Sequence, residues 1–181
     1  MSTPPPASSP TSTYTIHPTP TLTPADSHSL ASILLLLVSH GHALSVPTPL
    51  TPPTAAALFT HALTDPATTL YLARLPDGTI IGTVQLHLAT ATNAQHRACI
   101  SKMLVHPDHH GRGVGRALLG AAEAGARGAG RTLMHLDTNA EAEAAVGLYR
   151  RAGYVEVGDV PDWIRLEDGR RVTSKFFWKV L

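Results

Sequence analysis

Only one cysteine, Cys99, occurs in the 181 residues. The chain can therefore close no internal disulfide, and nothing in its sulfur chemistry argues for secretion. An excess of charge of either sign is missing too: 14 basic against 13 acidic residues leave +1, which gives no electrostatic footprint for nucleic acid. Long apolar runs are lacking. Ile33–Val38 is too short to cross a bilayer, and no cleavable signal pattern opens the chain. Metal-ligand spacings are absent as well. The 11 histidines are scattered, with no HExxH and no paired Cys/His, and His109 and His110 are neighbours rather than one helical turn apart, so no metal site is expected. What is left is the expectation of a soluble cytoplasmic protein with neither a nucleic-acid nor a membrane partner.

What is there suits one domain with a proper core: 181 residues, 43% of them hydrophobic. Met1–Thr11 is Pro, Ser and Thr without apolar periodicity and reads as a disordered tail, with a single domain over residues 12–181. Seven strands are expected: Tyr14–His17, Thr68–Leu75, Thr79–Thr90, Ala98–Val105, Thr132–Asp137, Tyr154–Asp159 and Thr173–Val180. Four helices are expected between them. The first, Pro24 to Ser39, opens with Thr23 as N-cap and proline at its first position. The others are Thr54–Leu63, a helix running to about Arg127, and Ala140–Ala152 closed by Gly153. Strands pair by hairpin in the first half, around Pro76-Asp77-Gly78, and alternate with helices in the second. The class is therefore α/β with a mixed sheet.

The chain is organised around Ala98–Leu119, a strand, a glycine-rich turn and the first turns of a helix. Cys99, Ser101, Met103 and Val105 alternate with Ala98, Ile100, Lys102 and Leu104, as in a largely buried strand. Pro107 stops the strand. His110, Gly111, Arg112, Gly113, Val114 and Gly115 form a turn whose glycines let backbone approach a ligand. The helix N-terminus that follows offers unpaired N–H groups and a partial positive charge, a seat for pyrophosphate. The glycines do not fit GxGxxG, because Arg116 stands three residues after Gly113, and no lysine supplies the end of a P-loop.

The segment resembles motif A of the GCN5-related N-acetyltransferases (GNAT), V-x-P-x-x-[QR]-G-x-G-x-[GA]. Val105, Pro107, Gly111, Gly113 and Gly115 match it, and His110 departs from it. A second block, Ala145, Leu148, Tyr149, Gly153 and Tyr154, matches the family's A-x-x-L-Y-x-x-x-G-[FY]. Within the family the resemblance is closest to the tabtoxin-resistance branch, through Lys102-Met103-Leu104-Val105, His135-Leu136-Asp137-Thr138 and Asp168-Gly169-Arg170 with Phe177 and Lys179. It implies a mostly antiparallel seven-stranded sheet with helices on both faces. It also implies acetyl-CoA as cosubstrate, and direct acetyl transfer to a primary amine, that of a small molecule such as a toxin, antibiotic or amino acid, by a monomer or homodimer. A protein or peptide acceptor, or a non-catalytic acyl-CoA-binding domain, is the alternative.

The resemblance also suggests roles. Met103, Leu104 and Val105 would pair with the pantetheine arm. His110, Gly111, Arg112, Gly113, Val114, Gly115 and Arg116 would hold the pyrophosphate. The helix asparagine that often touches CoA would fall at Ala142, with Asn139 a turn earlier, and Cys99 stands where many relatives keep a glutamate base. Gln85, His135, Asp162 and Trp163 are candidates for the acceptor pocket. Transfer needs a neutral amine, and deprotonating a lysine-like amine at pH 7 costs roughly 4–5 kcal/mol against about 1 for an α-amine. Asp137 is the expected general base, with capping of the Ala140 helix as the other role open to it. Tyr149 is the expected general acid for the departing thiolate, with packing on the sheet as its alternative.

Overall fold

A computed structural model describes residues 14–42, 44–166 and 168–181; the expected tail, Met1–Thr11, lies outside them. Helix α1 (Pro24–Ser39) starts where Thr23 Oγ1 accepts from the Asp26 amide and the Asp26 carboxylate accepts from the Thr23 amide, a reciprocal capping box with Pro24 at the first helical position. Helix α2 (Pro52–Ala62) begins two residues before the expected start. Thr51 caps it, and Pro52 and Pro53 occupy positions whose N–H groups have no helical acceptor in any case.

Seven strands form one sheet in the order β1-β2-β3-β4-β5-β7-β6. They are β1 (Thr15–Pro18), β2 (Thr68–Arg74), β3 (Ile80–Leu88), β4 (Arg97–Val105), β5 (Leu133–Asn139), β6 (Val155–Arg165) and β7 (Arg171–Val180). Every neighbour pair is antiparallel except β4 with β5. Two cores lie on opposite faces. Leu70 and Leu72 of β2 pack with α1 and α2, while Tyr71 and Ala73 between them join the cluster of α3 (Val114–Gly128) and α4 (Glu143–Arg151). Period-two alternation makes those faces opposite.

Helix α3 lies close on the sheet because its inner side is small. Ala122 and Ala126 are fully buried, and a Cβ at Gly125 would collide with the Tyr71 hydroxyl. Glu123, also on α3 and 7% exposed, accepts from Lys179 Nζ of β7 at 2.8 and 2.9 Å, so the buried charge is paired.

Three further departures from expectation bear on the site. The alternation of β4 breaks at a bulge: Lys102 has φ +46°, and β4 advances from Ser101 to Leu104 while β3 goes from Gln85 to Thr83. Ala98 and Ile100 therefore face the α3–α4 core, Leu104 the α1–α2 core, and Met103 and Val105 return to the α3 side. Helix α4 starts at Glu143, not Ala140, because β5 keeps pairing with β7 through Asn139. Gly153 follows its last turn at φ +85°. Strand β6 runs on to Arg165 through a second irregularity between Val160 and Ile164. Asp162 and Trp163 thus belong to the penultimate strand and do not follow it.

Candidate active site

Strands β4 and β5 pair only at Arg97–Cys99 with Leu133–His135. Beyond that point β4 keeps its ladder to β3 but has none toward β5, and its other edge borders a gap in the sheet. Two side chains meet across this gap from the α3–α4 side. The Tyr149 hydroxyl of α4 donates to Met103 Sδ of β4 at 3.6 Å. Tyr149 is 6% exposed and packs against Tyr154 and Phe177 with ring centroids 5.8 and 5.7 Å away. Burial pushes its hydroxyl pKa above the usual tyrosine value, with the Asp137 charge acting the same way.

The glycine turn leads from β4 into α3 along the same gap. Gly111 and Gly113 have φ +72° and +81°, and Gly113 is the N-cap of α3. Only glycine takes such angles without strain. Among the described residues, the N–H groups from Gly111 to Arg116 have no protein acceptor, and the first helical bond is that from Ala117 to the Gly113 carbonyl. Arg112 and Arg116 are exposed beside them without an ion-pair partner among the described residues. Six free donors, a helix N-terminus and two cations give this turn the chemistry that binds anions. The third motif glycine has a packing role besides. A Cβ on Gly115 would come within 3.3 Å of Leu148 Cδ2, so its absence lets α4 approach. The His110 ring lies 2.8 Å from the Val105 carbonyl through Nε2, tying the turn to the end of β4.

On the opposite face, polar residues stand where β3, β4 and β5 alternate away from the α3–α4 core. One cross-strand row runs Thr68–His87–Cys99–His135–Trp178 through the registers of five strands. Asp137 lies one step beyond His135 on the same face, and its carboxylate accepts from Ser174 Oγ of β7 at 2.8 Å. Burial pushes the His135 pKa down, as does the Arg97 charge, with Asp137 opposing. Burial and Asp137 together push the Cys99 thiol up, so it is a protonated thiol near neutral pH and a poor nucleophile. Burial lowers the Lys102 pKa against Asp137, and Lys102 Nζ donates to the Ser45 carbonyl at 2.6 Å, fastening the loop after α1 to the bulge.

That loop forms one wall of a cleft of about 350 Å³, with Leu44, Ser45, Val46 and Pro47 on one side and Trp163, Ile164 and Arg165 on the other. Trp163 packs edge-on against Phe176 at 5.2 Å, and Phe176 is the register partner of Asp137. Trp163 thus links the cleft lining, through Phe176, to the strand position opposite Asp137.

Not every expected residue comes to this place. Asp162, at φ +57°, directs its carboxylate to Arg171 Nη1 at 3.5 Å and is no part of the cleft lining. Gln85 is 4% exposed and lies beneath the polar face opposite the α3–α4 core, its Oε1 3.2 Å from Ser101 Oγ. Asp137 does not cap α4: Ala142 occupies the cap position and no side chain bonds to that helix start. Asn139 Oδ1 accepts from the Glu141 amide at 3.1 Å, which orders the turn before α4. His87, Ser101 and Lys102 were not expected in the site. Their signal was faint: Thr83, Gln85 and His87 are polar residues at alternate positions of a largely apolar strand.

A family model described as the acetyltransferase (GNAT) family matches residues 40–154. An uncharacterized N-acetyltransferase of Methanocaldococcus jannaschii is 33% identical over 92 residues, 50% of this chain and 41% of that protein, so the chain matches less than half of that relative's length. Among solved structures, a protein assigned as a phosphinothricin N-acetyltransferase superposes with TM-score 0.76 at 19% identity, covering 93% of this chain and 98% of that one. The yncA protein of Salmonella typhimurium, solved with its cofactor acetyl-CoA, superposes with TM-score 0.75 at 20% identity over 93% and 94%. At these identities the two structures show the fold.

Proposed function

The chain belongs to the acetyltransferase (GNAT) family, and from that premise we propose that it transfers acetyl from acetyl-CoA directly to the primary amine of a small molecule. The observation that carries this reading is the run of free amides from Gly111 to Arg116 at the start of α3, bordering the gap that Met103 and Tyr149 line. The resemblance of Lys102–Val105 and His135–Thr138 to the tabtoxin-resistance branch, and the likeness to a protein assigned as a phosphinothricin N-acetyltransferase, support an acceptor of toxin or amino-acid type.

Acetyl-CoA, when bound, supplies the acetyl group as a thioester. The chain does the rest with its own groups. The turn amides and the α3 N-terminus hold the pyrophosphate, and the free edge of β4 at Met103–Val105 offers its backbone groups to the pantetheine. On the other face, the Asp137 carboxylate attracts the acceptor ammonium and takes a proton from it. Ser174 holds that carboxylate in place through its hydroxyl. The Tyr149 hydroxyl, kept protonated by burial, donates toward the departing sulfur. The cleft between Ser45 and Trp163 admits the acceptor.

A thiol-release screen tests the reading, with acetyl-CoA as donor against amine-bearing toxins, antibiotics, amino acids and peptides. Turnover with a small amine is the expected result. Turnover confined to peptides would move the acceptor class, and acetyl-CoA binding without turnover on any amine would make the chain a binding domain.

A further inference from the structure

A hydrogen-bonded chain runs across the acceptor face and is not used in the mechanism above. Ser101 Oγ lies 2.7 Å from His87 Nε2, His87 Nδ1 lies 2.9 Å from Thr68 Oγ1, and Thr68 Oγ1 donates to Asp65 Oδ2 at 3.2 Å. Asp65 is exposed on the loop before β2, and its other oxygen accepts from the Ala67 amide at 2.9 Å. Ser101 shares the face of Cys99 and Asp137, and His87 is the register partner of Cys99.

The direction of the bonds follows from donor counting. Because Thr68 gives its single proton to Asp65, it can only accept from His87, so Nδ1 carries the ring proton and Nε2 is a lone pair facing Ser101. Gln85 completes the logic. With Oε1 toward Ser101, its Nε2 is a buried donor without a partner. With the amide turned over, Nε2 donates to Ser101 Oγ, the unpartnered group becomes a carbonyl, and Ser101 is left to donate to His87. An unmet carbonyl is the milder fault. The whole chain then points one way, from Gln85 to Asp65.

We propose that His87, reached through Ser101, is a second proton acceptor for the acceptor amine, alongside Asp137. This rests on the N-acetyltransferase reading. The N–H bond of the acceptor breaks as an O–H bond forms on Ser101, and the original Ser101 O–H bond breaks as an N–H bond forms at His87 Nε2. The ring becomes an imidazolium balanced by Asp65 through Thr68. After the amide product leaves, the same proton returns to solvent along the same two groups, restoring the starting ring. The charges facing His87 are Asp65, which favours the imidazolium, and Lys102 on β4, which opposes it; burial is the larger influence and keeps the resting ring neutral.

Two measurements on the full chain decide it. Long-range ¹H–¹⁵N spectra of the ¹⁵N-histidine protein, with His87 assigned through His87→Gln, report the ring tautomer without any substrate. An Nδ1–H ring at pH 7.5 is expected, and an Nε2–H ring overturns the proposal. The second is the pH profile of kcat/KM with the best amine from the screen. His87→Gln and Ser101→Ala are expected to lower it about tenfold near pH 7 and to recover as the amine deprotonates. Equal activity to wild type, or a loss that is the same at every pH, overturns the proposal while leaving the Asp137 reading intact. A screen with no acceptor defeats the acetyltransferase reading and this proposal with it, which separates the two failures.

Discussion

Tyr149→Phe isolates one hydroxyl. The ring keeps its neighbours, Tyr154 and Phe177, and the only group lost is an O–H whose partner is a thioether sulfur at 3.6 Å. Sulfur is a weak acceptor, so the stability change should stay under about 1 kcal/mol. Catalysis should respond far more. A positioned general acid contributes about 10²–10⁴ in rate, equivalent to roughly 2.7–5.5 kcal/mol of barrier. Burial makes the proton transfer harder than free tyrosine would suggest. The reference values for tyrosine and a thiol differ by about 1.5 units, an uphill step of roughly 2 kcal/mol, and burial raises the Tyr149 pKa further. The hydroxyl therefore helps chiefly by donating a hydrogen bond as charge grows on sulfur, with full transfer late. Its acid form persists at any pH below that raised value, so it imposes no falling limb on kcat below about pH 10. The linked stability has the same sign, fully present below about pH 10 and lost only above it. The assay is kcat and KM for acetyl-CoA from pH 6 to 10, with thermal melts on both proteins. A fall in kcat under threefold would return Tyr149 to packing. A limb near pH 8 that vanishes in the Phe variant would contradict the buried, protonated hydroxyl.

Asp137→Asn keeps a side chain that can accept from Ser174 and should melt within a few degrees of wild type. It should be slow near pH 7 and partly recover near about pH 9 as the amine loses its own proton; full activity at pH 7 would remove Asp137 from proton transfer. Gly125→Ala gains about 1 kcal/mol of helix propensity but sets a methyl against the Tyr71 hydroxyl, and overpacking of this kind costs about 1–3 kcal/mol. A net loss in urea unfolding is expected, and a more stable variant would show that α3 is not held at close range. The His87 ring is half-buried, and that burial is the chief cause that lowers its pKa. Groups held below their unfolded value give stability present above about pH 6.5 and lost as pH falls through it. The Tm should therefore drop between pH 7 and 5, less so in His87→Gln; an equal drop in both proteins would contradict the burial of His87.

Much of this fold was legible because its signals are local. Thr23-Pro24-Ala25-Asp26 specifies a helix start by chemistry confined to one turn, and Pro76-Asp77-Gly78 specifies a hairpin in the same way. Gly113 and the Tyr149 block could be placed because glycine at positive φ and a helix followed by glycine leave marks in sequence. Lys102 leaves none. A lysine in the left-handed region is held there by β3 on one side and the Ser45 carbonyl on the other, both remote in sequence. The role of Asp137 had the same difficulty. The cap alternative falls only once the register of β5 with β7 shows that the strand continues past it and Ser174 takes its carboxylate, and the base role stays a proposal. The row from Thr68 to Trp178 exists only through pairing, so its members are scattered along the chain and carry no shared motif.

The most direct test of the account is acetyl-CoA affinity, by calorimetry, in wild type and in Gly113→Val with its fold checked by circular dichroism. At φ +81° a β-branched residue is strained. In the protein alone its Cβ would meet only the Tyr14 hydroxyl, at 3.8 Å, so the fold has room for it. Wild type is expected to bind acetyl-CoA, 3′-dephospho-CoA to keep most of that affinity, and the folded variant to bind well over tenfold more weakly, because backbone can no longer reach the pyrophosphate. A folded Gly113→Val protein with unchanged affinity would contradict the account.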